Sequence, residues 1–218
     1  MTFQSGTGFT QIDTDSGTAT ISAAKPNLSF VGANQTSTSA SGNVITVNTT
    51  VPMALVDSAN APGGTGVSEI VLTTSSSEPH LLVIQDYNPV VNATSLLMRI
   101  SNDGGSTYAT SGYQTSVRYW AWNSTTMTNN TSTTSYQLSG AQRNDRSATF
   151  QLWLGNINIG AQLNMTGDST WHSTTLGVPV KGLNMGDGPI GTPGVDTFRF
   201  FVNSGNINNG RFRLYTLS

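Results

Sequence analysis

Two histidines, eleven acidic residues and four tryptophans are the side chains from which this 218-residue sequence could build a site. His80 opens the apolar run EPHLLVI and reads as a strand-end residue rather than a general base. His172 lies among hydroxyls in STWHSTT, but the sequence holds no G-x-S-x-G elbow to present a nucleophilic serine. Glycoside hydrolysis needs two carboxylates facing each other across a bond. Asp13 and Asp15 sit together in a turn-like segment, whereas Asp86, Asp103, Asp145, Asp168, Asp187 and Asp196 stand singly. Most of them neighbour Gly, Asn or Ser, where an Asp side chain stabilises a turn. The expectation is a protein that is not an enzyme, with no catalytic residues, no bound cofactor and no metal.

The segment SNDGGSTY (Ser101–Tyr108) is similar to the Asp-box of sialidase-type propellers, with Tyr in the last place. A propeller repeats that motif in every blade, and here it occurs once. A hairpin turn accounts for it: Asp103 caps the turn, and Gly104 and Gly105 take positive φ. The turn lacks the ligand series of an EF-hand loop, so no calcium site is assigned to it. N-x-[ST] triplets at Asn27, Asn92, Asn123 and Asn164 are what chance produces in a chain this rich in Asn, Ser and Thr.

Tyr119, Trp120, Trp122, Trp153 and Trp171 could stack against sugar rings, with Asn and Asp supplying hydrogen bonds. Aromatics in strands more often serve a core or an interface. Trp171, beside turn-like residues, is the tryptophan expected to be exposed. Trp120 and Trp122 are candidates for the same sugar or receptor contact, or for an intersubunit contact.

The elements that must position these groups are written in the composition. Charged residues make up 9% of the chain, against about a quarter in ordinary soluble domains. Ser, Thr, Asn, Gln and Gly take their place, a surface suited to packing against copies of itself. Net charge is −2, and no basic stripe exists to neutralise phosphates, so nucleic acid is not an expected partner. Cysteine is absent, which removes disulfides and thiolate chemistry together. The opening MTFQSGTGFTQIDTDSG has neither the basic nor the apolar region of a Sec signal. No apolar run approaches the ~20 residues of a membrane helix, so membrane insertion is not expected.

Helical periodicity is nearly missing, while Val, Ile, Thr, Phe, Tyr and Trp recur in short runs bounded by Gly, Asn, Asp and Ser. Strands are expected at Thr18–Ser22, Leu28–Val31, Val44–Asn48, Val67–Thr73, His80–Tyr87, Ser95–Ser101, Thr115–Trp122, Thr149–Leu154, Ala161–Met165, Asp196–Asn203 and Arg211–Leu217. Alternation turns Phe212 and Leu214 one way and Arg211, Arg213 and Tyr215 the other. It places Arg118, Trp120 and Trp122 on one strand face and Val117, Tyr119 and Ala121 on the opposite one. His80–Ile84 is apolar on both faces, as in a central strand. The fold class expected is all-β, an antiparallel jelly-roll-like β-sandwich with an extended N-terminal β arm.

A boundary is expected in the turn-prone NAPGGTG (Asn60–Gly66), giving an arm over residues 1–64 and a sandwich domain over 65–218. The arm offers too little apolar area to offset its own ordering entropy, and its strands are suited to pairing with neighbouring chains. Asn123–Thr134 and Gly182–Gly194 read as loops.

Two stretches carry a resemblance. DTDSGTATISAAKPNLSFVGANQTSTSASGNVITVNT (Asp13–Thr49) resembles a module of tailed-bacteriophage virion proteins: a D-S-G-x-A start, a short strand ending in V-G, then G-N-x-I-T-V. Asp15–Ala19, Leu28–Gly32 and Gly42–Val47 supply those parts. Val67–Tyr113 resembles the opening of a β-sandwich in phage structural and fibre proteins, through Pro89, Asn92, Leu96 or Leu97, Arg99, Ser101, Asp103, Gly104, Gly105 and Tyr108. The ending GRFRLYTL resembles the closing strand. The resemblance implies a virion localisation and a structural role as a fibre, tail-adaptor or capsid-decoration subunit. It also implies a homo-oligomer, a trimer by preference, contacting other virion proteins and a cell-surface glycan. A receptor-binding tip or a strand-exchanging filament subunit are the alternatives.

Overall fold

A computed structural model describes residues 53–124, 127–155, 157, 162–189 and 194–217 in full, and four short strands within the first 52 residues. The chain divides after Pro52 into two compact units. In the first unit, β1 (Gln11–Thr14) pairs with β2 (Gly17–Thr20) and β3 (Thr36–Ser41) with β4 (Val44–Thr49), both antiparallel. Asp13 falls within β1; Asp15 and the strand expected at Leu28–Val31 lie outside the described residues.

The second unit, Met53–Leu217, is all-β, as its composition requires. Its strands are β5 (Met53–Val67), β6 (Glu69–Thr73), β7 (His80–Pro89), β8 (Leu96–Ser101), β9 (Gln114–Ala121) and β10 (Met127–Ser132), followed by β11 (Tyr136–Gln137), β12 (Ala148–Gly155), β13 (Asn164–His172), β14 (Pro179–Asp187), β15 (Thr197–Val202) and β16 (Ile207–Leu217). They form an eight-stranded sheet, β10-β9-β14-β13-β12-β7-β16-β5, and a four-stranded sheet, β11-β8-β15-β6. Every pairing is antiparallel.

The two sheets share one core. Leu82, Ile84, Phe150, Leu152, Phe212 and Leu214 come from the larger sheet, and Leu72, Leu96, Met98, Ile100, Phe198 and Phe200 from the smaller. Phe200 and Phe212 meet across the interface at 5.2 Å between ring centroids, which fixes the sheets face to face. Alternation makes this possible, since the strands that build the core, β7, β8, β12, β15 and β16, turn a continuous apolar face inward. Phe212 and Leu214 are buried and their outward neighbours are not, as the sequence pattern requires.

Three expectations are corrected here. NAPGGTG is not a boundary; it lies inside β5, whose Asn60 and Ala61 pair with Arg211 and Gly210 of β16. Gly63, Gly64 and Gly66 take positive φ, so the segment bulges rather than turns away, and Pro62 is tolerated because β5 is an edge strand. The division accordingly falls at Pro52, before residue 64. Asn123–Thr134 contains β10, an edge strand whose polar residues give no apolar alternation to read. Gly182–Gly194 begins inside β14, where Gly182 and Gly186 make room for Trp171 and Thr115 of neighbouring strands.

Candidate functional site

Three of the four tryptophans singled out from the sequence line one groove, and Trp153 lies outside it. Trp120, Trp122 and Trp171 enclose about 440 Å³ together with Arg146, Ser147, Thr170, His172, Pro179, Val180 and Lys181. Strand register builds it: Trp120 sits opposite Lys181 of β14, which sits opposite Thr170 of β13. One step along, Trp171 faces Val180 and His172 faces Pro179, and the Trp122 backbone N–H donates to the Pro179 carbonyl at 3.4 Å.

The tryptophans are not equivalent. Trp122 is 75% exposed, just past the end of β9, and Trp120 is half-buried on the same face. Trp171 is 2% exposed, which corrects the expectation that it is the exposed one. It occupies an inward position of β13, edge-on to Tyr119 at 5.1 Å. A Cβ on Gly182 would lie 2.5 Å from its indole Cζ3, so this glycine is what gives the ring its seat. The Trp171 Nε1 and the His172 Nδ1 are both buried with no hydrogen-bond partner.

The far wall is the turn carrying Arg146, and it is held from several sides. Gln142, fully buried, donates from Nε2 to the Arg146 carbonyl at 2.7 Å. The Arg143 N–H donates to the His172 carbonyl, and the Asn144 N–H to Asn92 Oδ1 at 2.9 Å. Arg143 grips Asp145 through two bonds of 2.7 Å, which hold the Asp145 carboxyl down at about 2. Among the described residues no acceptor pairs with the Arg146 guanidinium, and no carboxylate lines the groove. Lys181 has Asp168 at 3.6 Å, both well exposed.

A second feature crosses the outer face of the large sheet. Leu55, Tyr215, Leu81, Trp153, Thr166, Met185 and Ser116 stand opposite one another in an unbroken row over seven strands. At ~4.8 Å per strand the row is about 29 Å long. Leu55, Trp153 and Met185 remain 54%, 43% and 41% exposed. Gly167 and Leu183 add to a groove of about 440 Å³ alongside Trp153.

The remaining candidates have structural roles. His80 is fully buried at the start of β7; its Nδ1 lies 2.6 Å from the Glu78 carbonyl and its Nε2 2.8 Å from Thr74 Oγ1. Burial lowers its pKa, so the neutral ring donates from Nδ1 and accepts the Thr74 hydroxyl at Nε2. Asp103 closes the SNDGGSTY turn. Hydrogen bonds from Ser101 and Thr107, foremost the Ser101 hydroxyl at 2.6 Å, hold its carboxyl at about 2. Gly104 and Gly105 take positive φ there. Asp86 pairs with Arg211 and Asp196 accepts from Gly104 and Thr197. Among the described residues no group of three or more His, Asp or Glu could hold a metal.

Sequence reasoning found the tryptophans but missed Arg146, Lys181 and the apolar row. Their proximity is a matter of strand register, which no local pattern reveals. No protein-family model, curated protein or solved structure matches this chain.

Proposed function

We propose that this chain is a non-enzymatic structural subunit of a tailed-bacteriophage virion, packing through the outer face of its eight-stranded sheet against further copies of itself. The observation that carries this reading is the seven-strand row from Leu55 to Ser116. Large apolar side chains such as Leu55, Trp153 and Met185, left exposed along one sheet face, mark an interaction surface. Charges flanking the row are interspersed: Arg118, Lys181, Arg211 and Arg213 against Asp86, Asp168 and Asp187. A second copy laid on this face meets both signs, so self-packing carries no large like-charge penalty.

The wiring of the sheets supports the same reading. β5-β16-β7-β12 and β6-β15-β8-β11 interleave so that successive strands of the core eight alternate between sheets, except for β8 and β11, which pair with each other in the smaller sheet. We read this as a jelly roll, enlarged by the insertions β9–β10 and β13–β14 on the large sheet, a two-sheet wiring suited to shell and appendage subunits. Met1–Pro52, bearing the D-S-G-x-A and G-N-x-I-T-V stretches, would serve as the assembly arm. Immunogold labelling of intact particles with antibody against the full chain tests the placement. Labelling at one particle substructure supports it; the chain recovered only free in the lysate, with unlabelled particles, refutes it.

A further inference from the structure

We infer that the groove around Trp120, Trp122 and Arg146 is a binding site for a carboxylate-bearing saccharide. It lies about 13 Å along β9 from the apolar row, counting four residues from Ser116 to Trp120, and stands independently of the assembly role.

Three observations converge. First, Trp122 and Trp120 offer two indoles on one strand face, the outer one three-quarters exposed. The electron-rich face of an indole attracts the C–H groups of a pyranose ring, and an exposed tryptophan without such a partner leaves a large apolar area in water. Second, the local charge is positive. Arg143 holds both Asp145 oxygens, so among the described residues the Arg146 guanidinium has no hydrogen-bonded partner and only a through-space attraction to Asp145, and Lys181 lines the same groove with only an exposed, 3.6 Å partner. An exposed pair of that kind is weak and yields readily to a competing carboxylate. A planar guanidinium matches a carboxylate with two parallel hydrogen bonds. Third, Trp171 Nε1 and His172 Nδ1, on two residues lining the groove, are buried without partners, and a hydroxyl-rich ligand supplies both donors and acceptors.

The site is also preorganised. Gln142 braces the Arg146 turn from within, and the backbone N–H groups of Gln142, Arg143 and Asn144 tie it to Asn92–Thr94 and to His172, so little ordering entropy is lost on binding. Two local cations and a net charge of −2 are too few for a nucleic-acid track, which favours a sugar acid over an oligonucleotide.

The test is titration of the full chain with oligogalacturonate and with sialyllactose, followed by tryptophan fluorescence and calorimetry. Fully methyl-esterified oligogalacturonate and an oligothymidylate serve as comparison ligands. At least one acidic sugar is expected to bind at about millimolar or better, and its neutral counterpart about tenfold more weakly. Trp122→Ala, at an exposed position, is expected to lose binding with an unchanged melting temperature, and Arg146→Gln to reduce acid binding to the level of the ester. No binding of either acid up to about 10 mM, equal binding of acid and ester, tighter binding of the oligothymidylate, or full binding by Trp122→Ala would each overturn the inference.

Discussion

Gly182→Ala places one methyl group where the structure has no room for it. The new Cβ would stand 2.5 Å from Cζ3 and 2.8 Å from Cη2 of Trp171, and 2.7 Å from Ser169 Oγ. Ordinary carbon–carbon contact needs ~3.5–4.0 Å, so the indole must move by about 1 Å or more. It has nowhere to go cheaply, because Tyr119 meets it edge-on at 5.1 Å. Overpacking of this kind costs about 1–3 kcal/mol. Against it stands the smaller conformational freedom of alanine in the unfolded chain, worth ~0.4–1 kcal/mol. The net expectation is a loss of about 1–2 kcal/mol, or a melting temperature lower by ~2–8 °C for a unit of this size. Urea and thermal unfolding followed by circular dichroism measure it. The same substitution in a Trp171→Leu background should cost less, since the rigid ring is gone and only the Ser169 hydroxyl at 2.7 Å remains to give way. If Gly182→Ala is as stable as the parent, or costs the same in both backgrounds, the seat assigned to Trp171 is wrong.

His80 and Asp103 make pH-dependent contributions of the same sign for different reasons. Burial lowers the His80 pKa, so the unfolded chain takes up the proton first as pH falls below about 6.5. Its stabilisation is complete above that value and is lost as pH falls toward the lowered folded value. Urea midpoints measured between about pH 7 and pH 5 should therefore decline, with a shallower slope in His80→Leu. The Asp103 carboxyl, held at about 2 by Ser101 and Thr107, stabilises above its ordinary value of 3.8 and loses that contribution as pH falls toward 2. Asp103→Ala should remove this acid-limb dependence; an unchanged acid limb would show that the turn does not depend on the carboxylate.

How much of this was legible in the sequence depended on whether each strand carried its own apolar alternation. β16 did: Phe212 and Leu214 point inward, as their spacing requires, and so do Val117, Tyr119 and Ala121 of β9. β10 had no such signal, because MTNNTS pairs at the sheet edge through its backbone with polar side chains on both faces. β14 was obscured by Gly182 and Gly186, residues that usually punctuate turns but here admit side chains from neighbouring strands. The glycines of β5 misled in the same way, marking a bulge instead of a boundary. Trp171 was misplaced because its hydroxyl-rich neighbours suggested a turn, while the strand runs on to His172 and buries the ring. The groove itself depends on Trp120, Lys181 and Thr170 standing side by side on three strands far apart in sequence. That register is set by long-range pairing, which leaves no local trace.

Light scattering on the purified full chain, beside its Trp153→Asp variant, addresses the assembly face most directly. Trp153 sits in the middle of the apolar row with its side chain 43% exposed, so a carboxylate there burdens the interface more than the fold. A defined multimer for the parent and a monomer of unchanged circular dichroism for the variant would support packing through this face. A monomeric parent, or a variant of the same multimeric mass, would contradict it.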